Sequence, residues 1–144
     1  MDAPALAPRW ELYSHDADIG IRGFGSTIGA AFEAIGVALT AAVCEPVTVH
    51  ARTPVTVRCS AADIESLLYD WVNAIVYEMA VRRMLFSRYE AGIDGHELHG
   101  TLWGEPLEIR RHQPAVEIKG ATYTDLGVRQ DANGSWVAQC VIDV

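Results

Sequence analysis

Short strands of alternating polarity, interrupted by two helical hydrophobic patterns, predict an α+β fold: one domain whose mostly antiparallel β-sheet is packed by two α-helices. Three observations carry this. Residues 64–79 repeat apolar side chains at three- and four-residue spacing, residues 136–142 alternate with period two, and Asp94-Gly95 and Asn133-Gly134 are tight-turn signals between strand-like runs. A length of 144 residues suits one compact domain. Apolar residues make up 50% and charged residues 21%, which is globular rather than disordered composition.

The pattern assigns each element in turn. Residues 1–8, rich in Ala and Pro, read as a short flexible leader before a domain over 9–144; they lack the basic start and apolar run of a secretory signal. Strands are expected at 10–13 and 19–24. Thr27 is the expected N-cap of a first helix carrying Ile28, Ala31, Phe32, Ile35, Ala38, Leu39 and Ala42. Gly29 and Gly36 each weaken that helix by roughly 1 kcal/mol relative to Ala, so packing must hold it. Alternation over 47–59, broken by Pro54, predicts a strand at a sheet edge.

Ser60 to Asp63 resembles a capping box ahead of the second helix, whose stripe runs Ile64, Leu67, Leu68, Trp71, Val72, Ile75, Val76, Met79. Strands follow at 84–93 and 96–103, then a break at Gly104-Glu105-Pro106 and a polar loop bearing Arg110, Arg111 and His112. The last strands are expected at 115–123, 126–130 and 136–144, with Glu117 and Lys119 on one face of theirs.

Charge excludes some functions. Eleven basic against nineteen acidic residues give a net charge of −8, which repels phosphate backbones, so no direct nucleic-acid binding is expected. No run approaches the roughly 18 apolar residues of a membrane span. Cys44, Cys59 and Cys140 form no ligand spacing and are expected to be reduced, in a cytoplasmic protein. There is no GxSxG elbow, HExxH or P-loop.

The remaining chemistry lies in carboxylates. His15-Asp16-Ala17-Asp18 follows one strand, and Asp143-Val144 closes another. Were those strands neighbours, Asp18, Asp143 and the carboxylate of Val144 would converge as hard oxygen donors for a divalent cation such as Ca, Mg or Mn. Asp16, two residues from Asp18, would share its face in an extended strand, and His15 would act as a further ligand or an orienter. Taken singly, each acid reads first as an ordinary solvated carboxylate at a strand end. Glu117 and Lys119 read either as a surface ion pair worth at most ~1 kcal/mol or as part of a docking surface, and Arg110-Arg111-His112 reads either as a solvated loop or as a docking patch.

The ordered set of motifs resembles the archease family. It comprises His15-Asp16-Ala17-Asp18-Ile19-Gly20-Ile21 with Gly25, Ala31-Phe32-Glu33, and Asp63-x-Glu65-x-Leu67-Leu68-x-x-Trp71-x-Asn73. Gly104-Glu105-Pro106 and His112 follow, then Glu117-Ile118-Lys119-Gly120-Ala121-Thr122-Tyr123 and Ile142-Asp143-Val144. The resemblance implies a non-enzymatic cofactor of an RtcB-type RNA ligase, acting in tRNA splicing or RNA repair by promoting ligase guanylylation and turnover. It implies a divalent ion held by Asp18, Asp143 and Val144, and a role in activation for Lys119. Asp16 replaces the family's usual Thr, and Thr124 stands where many members carry His. Two other classes fit the same acids or none of them: a metal-dependent enzyme acting on small phosphorylated or nucleotide substrates, and a chaperone-like scaffold.

Overall fold

A computed structural model describes residues 8–144; the expected leader at 1–7 lies outside the described residues. Strands β1 (Arg9–His15) and β2 (Asp18–Gly25) form a hairpin, followed by helix α1 (Ile28–Val43) and a 3-10 turn at Pro46–Thr48. Next come β3 (Thr53–Ser60), α2 (Ile64–Arg82), β4 (Met84–Asp94), β5 (Glu97–Pro106) and the short α3 (Ile109–His112). Strands β6 (Gly120–Ala121), β7 (Gly127–Gln130) and β8 (Trp136–Asp143) complete the chain. The α+β class holds, but the strands form two sheets rather than one. The first has the order β1-β2-β8-β6, with β7 also paired to β8, and the second has the order β3-β5-β4.

Helix α1 lies between the two sheets. Its residues 34–40 are buried without a break, which is the signature of a helix covered on all sides rather than of an amphipathic one. Two glycines permit the contact. A Cβ on Gly23 of β2 would stand 2.3 Å from the Ile35 backbone nitrogen, and one on Gly36 of the helix 2.6 Å from the Tyr89 ring. Thr27 caps the helix as expected, its hydroxyl oxygen accepting from the Ala30 N–H at 3.0 Å.

Helix α2 closes the core from the other side through Leu67, Leu68, Trp71, Val72, Ile75 and Val76, all buried. Trp71 has no exposed surface, and its indole N–H donates to the Phe32 carbonyl at 2.9 Å. Truncating so large a buried ring costs about 3–5 kcal/mol. The N-cap of α2 is Asp63 itself, accepting from Ser66 N–H at 2.7 Å, so the expected Ser60 box is replaced by a cap three residues later.

Other departures have local causes. Residues 47–51 do not extend, because Pro46 starts a 3-10 turn and the Glu45 carbonyl accepts from both the amide and the hydroxyl of Thr48. The β4–β5 turn falls one residue later than expected: Asp94 pairs with Glu97, and Gly95 takes a φ of +60° at the first turn position. Strand β5 continues through Gly104-Glu105-Pro106 instead of breaking there, and Arg110 to His112 are helical. Most of 115–123 is irregular. Its backbone donates to separate partners, Ala115 to Val43 at 2.8 Å and Lys119 to Asp143 at 2.8 Å, so only Gly120–Ala121 forms a ladder.

Candidate functional site

The first and last strands of the candidate site are neighbours. Strand β2 pairs antiparallel with β8 in a register ending at Ile19 opposite Ile142, which makes Asp18 and Asp143 the next residues across from one another. His15 is opposite Asp18 on β1, and Gly120 is opposite Asp143 on β6. Cross-strand partners share a face, so His15, Asp18 and Asp143 form one row on the side of the sheet away from α1. Neighbouring rows of that face hold Tyr13 with Gly20 and Val141, then Glu11 with Arg22 and Gln139.

The row is acidic and open. Asp143 is exposed, and Asp18 and His15 are partly buried. Among the described residues no Lys, Arg or His pairs with Asp18 or Asp143. Two adjacent unpaired carboxylates are hard donors suited to a divalent cation. No three His, Cys, Asp or Glu side chains gather closely enough for a metal cluster among the described residues. The donor chemistry therefore fits such an ion, with two side chains rather than a complete shell. The Val144 side chain packs on the core, which fixes the backbone just beyond Asp143.

Asp16 takes no part in the strand-face geometry expected of it. It occupies the β1–β2 turn at φ +52°, a backbone that Asp tolerates, with its side chain 95% exposed and 3.9 Å from His15. Lys119 and Glu117 are exposed on the irregular segment rather than on one strand face, and they make no ion pair with each other among the described residues. Lys119 nonetheless belongs to the site's frame, because its N–H holds the Asp143 carbonyl.

His112 is where the docking expectation fails. It is buried, its Nδ1 accepting from the Glu108 N–H at 2.9 Å and its Nε2 lying 3.0 Å from Glu105. A backbone N–H only donates, so that ring is neutral with its proton on Nε2, donating to the carboxylate. Glu105 also accepts from Arg111 Nη1 at 2.7 Å and from the His50 N–H at 2.7 Å. The Arg111 hydrogen bond, reinforced by those from His50 and His112, holds the Glu105 carboxyl well below the usual carboxylate range despite its burial. This node ties together the loop after α1, the end of β5 and α3. Glu105, Glu108 and Arg111 fall at three-residue spacing, but nothing in the sequence marks Glu105 as buried.

Asn73 is a second such fixture. On α2, off the apolar stripe, it accepts from the Ala121 N–H at 2.9 Å and so anchors the segment that brings Gly120 to Asp143.

The Archease protein family model matches residues 10–144. This chain belongs to the archease family. It is 34% identical over 140 residues to the protein archease of Pyrococcus abyssi, covering 94% of this chain and 99% of that protein. The Pyrococcus furiosus archease is 32% identical over the same length and coverage. Among solved structures, Methanobacterium thermoautotrophicum protein 1598 superposes with a TM-score of 0.80 at 27% identity, covering 94% of this chain and 98% of that one. A Thermotoga maritima protein described as an archease, possible chaperone, shares the fold at a TM-score of 0.56 and 19% identity, over 99% of this chain and all of its own. No described helix is long and apolar enough to cross a membrane.

Proposed function

We propose that this archease-family protein is a non-enzymatic partner of an RtcB-type RNA ligase. In this reading it promotes ligase guanylylation and turnover in tRNA splicing or RNA repair, in the cytoplasm. The observation that supports it best is the register of β2 against β8, which makes neighbours of Asp18 and Asp143, neither of them in an ion pair among the described residues. Such a pair is costly unless water screens it or an external cation bridges it.

Asp18 and Asp143 would hold a divalent ion (Ca, Mg or Mn), with the carboxylate of Val144 as a third hard donor where the chain ends there. The ion would supply positive charge for positioning phosphate oxygens at the ligase's nucleotide site. His15, partly buried in the same row, would orient Asp18; Asp16, at the turn tip, would add negative field. Lys119 and Glu117 are exposed beside Asp143 and suit contact with the ligase, whereas His112 serves indirectly by holding Glu105. The net charge of −8 favours encounter with a cationic partner surface and disfavours RNA binding by this chain alone.

Guanylylation of the purified ligase, timed with and without this protein, tests the reading. The wild type is expected to accelerate it, and Asp18→Ala and Asp143→Ala are expected to remain folded and to lose the stimulation. Full stimulation by both variants would sink the metal role, and no stimulation by the wild type would sink the activator role.

A further inference from the structure

A second surface opens from the same end of the molecule. A cavity of about 610 Å³ lies between the C-terminal turns of α1 and α2 and the 114–118 segment; Val43, Val76, Met79, Leu85, Leu107 and Ile118 form much of its wall. Its volume falls within the range of ligand and anchor pockets, and its walls are mostly apolar. Two of the chain's three methionines, Met79 and Met84, line it. Met side chains adapt readily to an inserted group.

Position and charge say what it takes. Strands β2 and β8 are antiparallel, and α1 returns from the Gly25 end to place Val43 toward the Asp18 end of the sheet. Glu117 and Ile118, in the cavity wall, lead directly to Lys119, whose N–H holds the Asp143 carbonyl. The row faces away from α1 and the cavity lies beside it, so a protein reaching around this end of the sheet would touch both. Arg83 also lines it; neither Arg83 nor Lys119, the chain's only lysine, enters an ion pair among the described residues. Glu117 shares the wall with Arg83 and Lys119 follows just outside it, so two cations meet one carboxylate here, and in a protein with an excess of eight negative charges that local balance favours a partner's carboxylate.

We infer that this cavity is the anchor pocket of the partner interface, receiving an aliphatic or phenyl side chain from a ligase segment that carries a carboxylate beside it. The inference rests on the ligase reading above and adds where the ligase grips. Docking and activation are thereby separate: the cavity holds the partner, and the Asp18–Asp143 row acts on it.

Association with the ligase, measured by titration alongside guanylylation, tests the separation. Ala80→Trp, at an exposed position in the wall, is expected to fill the cavity and weaken association at least tenfold; Arg83→Glu is expected to weaken it severalfold. Asp18→Ala is expected to lose stimulation while losing less affinity than Ala80→Trp does. In the wild type, the methyl NMR signals of Met79 and Met84 are expected to shift or broaden as ligase is added. Wild-type affinity in a folded Ala80→Trp, with stimulation intact, would overturn the pocket and leave the activator role standing. A wild type that neither binds nor stimulates the ligase would overturn both. Dimerisation of the wild type that Ala80→Trp abolishes would assign the cavity to a second copy and overturn the inference too.

Discussion

Glu105 and Asp143 are both carboxylates near the ends of strands, yet the fold treats them oppositely. Glu105 is buried and accepts from Arg111, His112 and the His50 backbone. Asp143 is exposed, lies across from Asp18, and has no ion pair among the described residues. A carboxylate whose hydrogen bonds are satisfied from within stabilises the protein; a pair left unsatisfied is available to something else. The contrast separates two acids that the same motif-bearing chain presents side by side in sequence logic.

The sharpest way to break the contrast is Glu105→Gln. Removing one partner of a buried charged cluster costs about 3–5 kcal/mol, and the partial exposure of Arg111 brings the expectation to about 3 kcal/mol. Thermal unfolding should shift down by roughly 6–12 °C for a chain of this size. A shift below 2 °C would mean that Arg111 and His112 find equal partners without the carboxylate.

Next in size is the effect of a cation on the open pair. If Asp18 and Asp143 hold a divalent ion, adding it at a hundredfold excess over its dissociation constant should stabilise the folded protein by about 2.7 kcal/mol. A chelator should reverse the gain, and Asp18→Asn should abolish it while Glu105→Gln keeps it. Equal stabilisation of the wild type and Asp18→Asn would place the ion elsewhere.

Acid sharpens the comparison further, because the two regions titrate differently. Glu105 is held below its ordinary value of 4.5, so its unfolded form takes up protons first as the pH falls. Its contribution is complete above about 4.5 and is lost progressively as the pH falls toward the folded-state value. Between pH 5 and 2 the wild type should therefore lose more stability than Glu105→Gln, measured by denaturant midpoints at each pH. Parallel curves would remove Glu105 as the cause of the acid sensitivity.

The two regions also differ in how far the sequence reveals them. The strands themselves were legible, because β8 alternates cleanly and the His15–Asp18 run interrupts two strand-like segments, but their pairing was only a condition in the sequence, and it is the second strand, β2, that meets β8. The α2 stripe and the Thr27 cap were legible for the same reason: periodicity and capping are local. The Glu105 node was not, since its donors are the His50 backbone N–H in the loop after α1 and two side chains of α3, and a run such as Arg110-Arg111-His112 reads as a solvated loop until a buried acceptor is placed above it. Nor was the second sheet legible. Its separation from the first depends on α1 being covered on both sides, a consequence of Gly23 and Gly36 admitting close neighbours. Segment 115–119 alternates like a strand but bonds to Val43 at one end and Asp143 at the other, so alternation alone misplaced Glu117 and Lys119.

The smallest expected effect is the most discriminating. Asp18→Asn and Asp143→Asn keep side-chain shape, remove one of two facing like charges, and take nothing from the core. Without added metal each should change stability by no more than about 0.5 kcal/mol, with any change favourable because the remaining carboxylate loses its repulsive neighbour. Chemical denaturation in a chelating buffer measures this directly. A loss above about 1.5 kcal/mol from either change would show that the carboxylate holds the β2–β8 edge together, as Glu105 holds α3, and the open row would then belong to the architecture. A null or small gain, combined with lost metal stabilisation, leaves function as the reason for placing two like charges across one pair of strands.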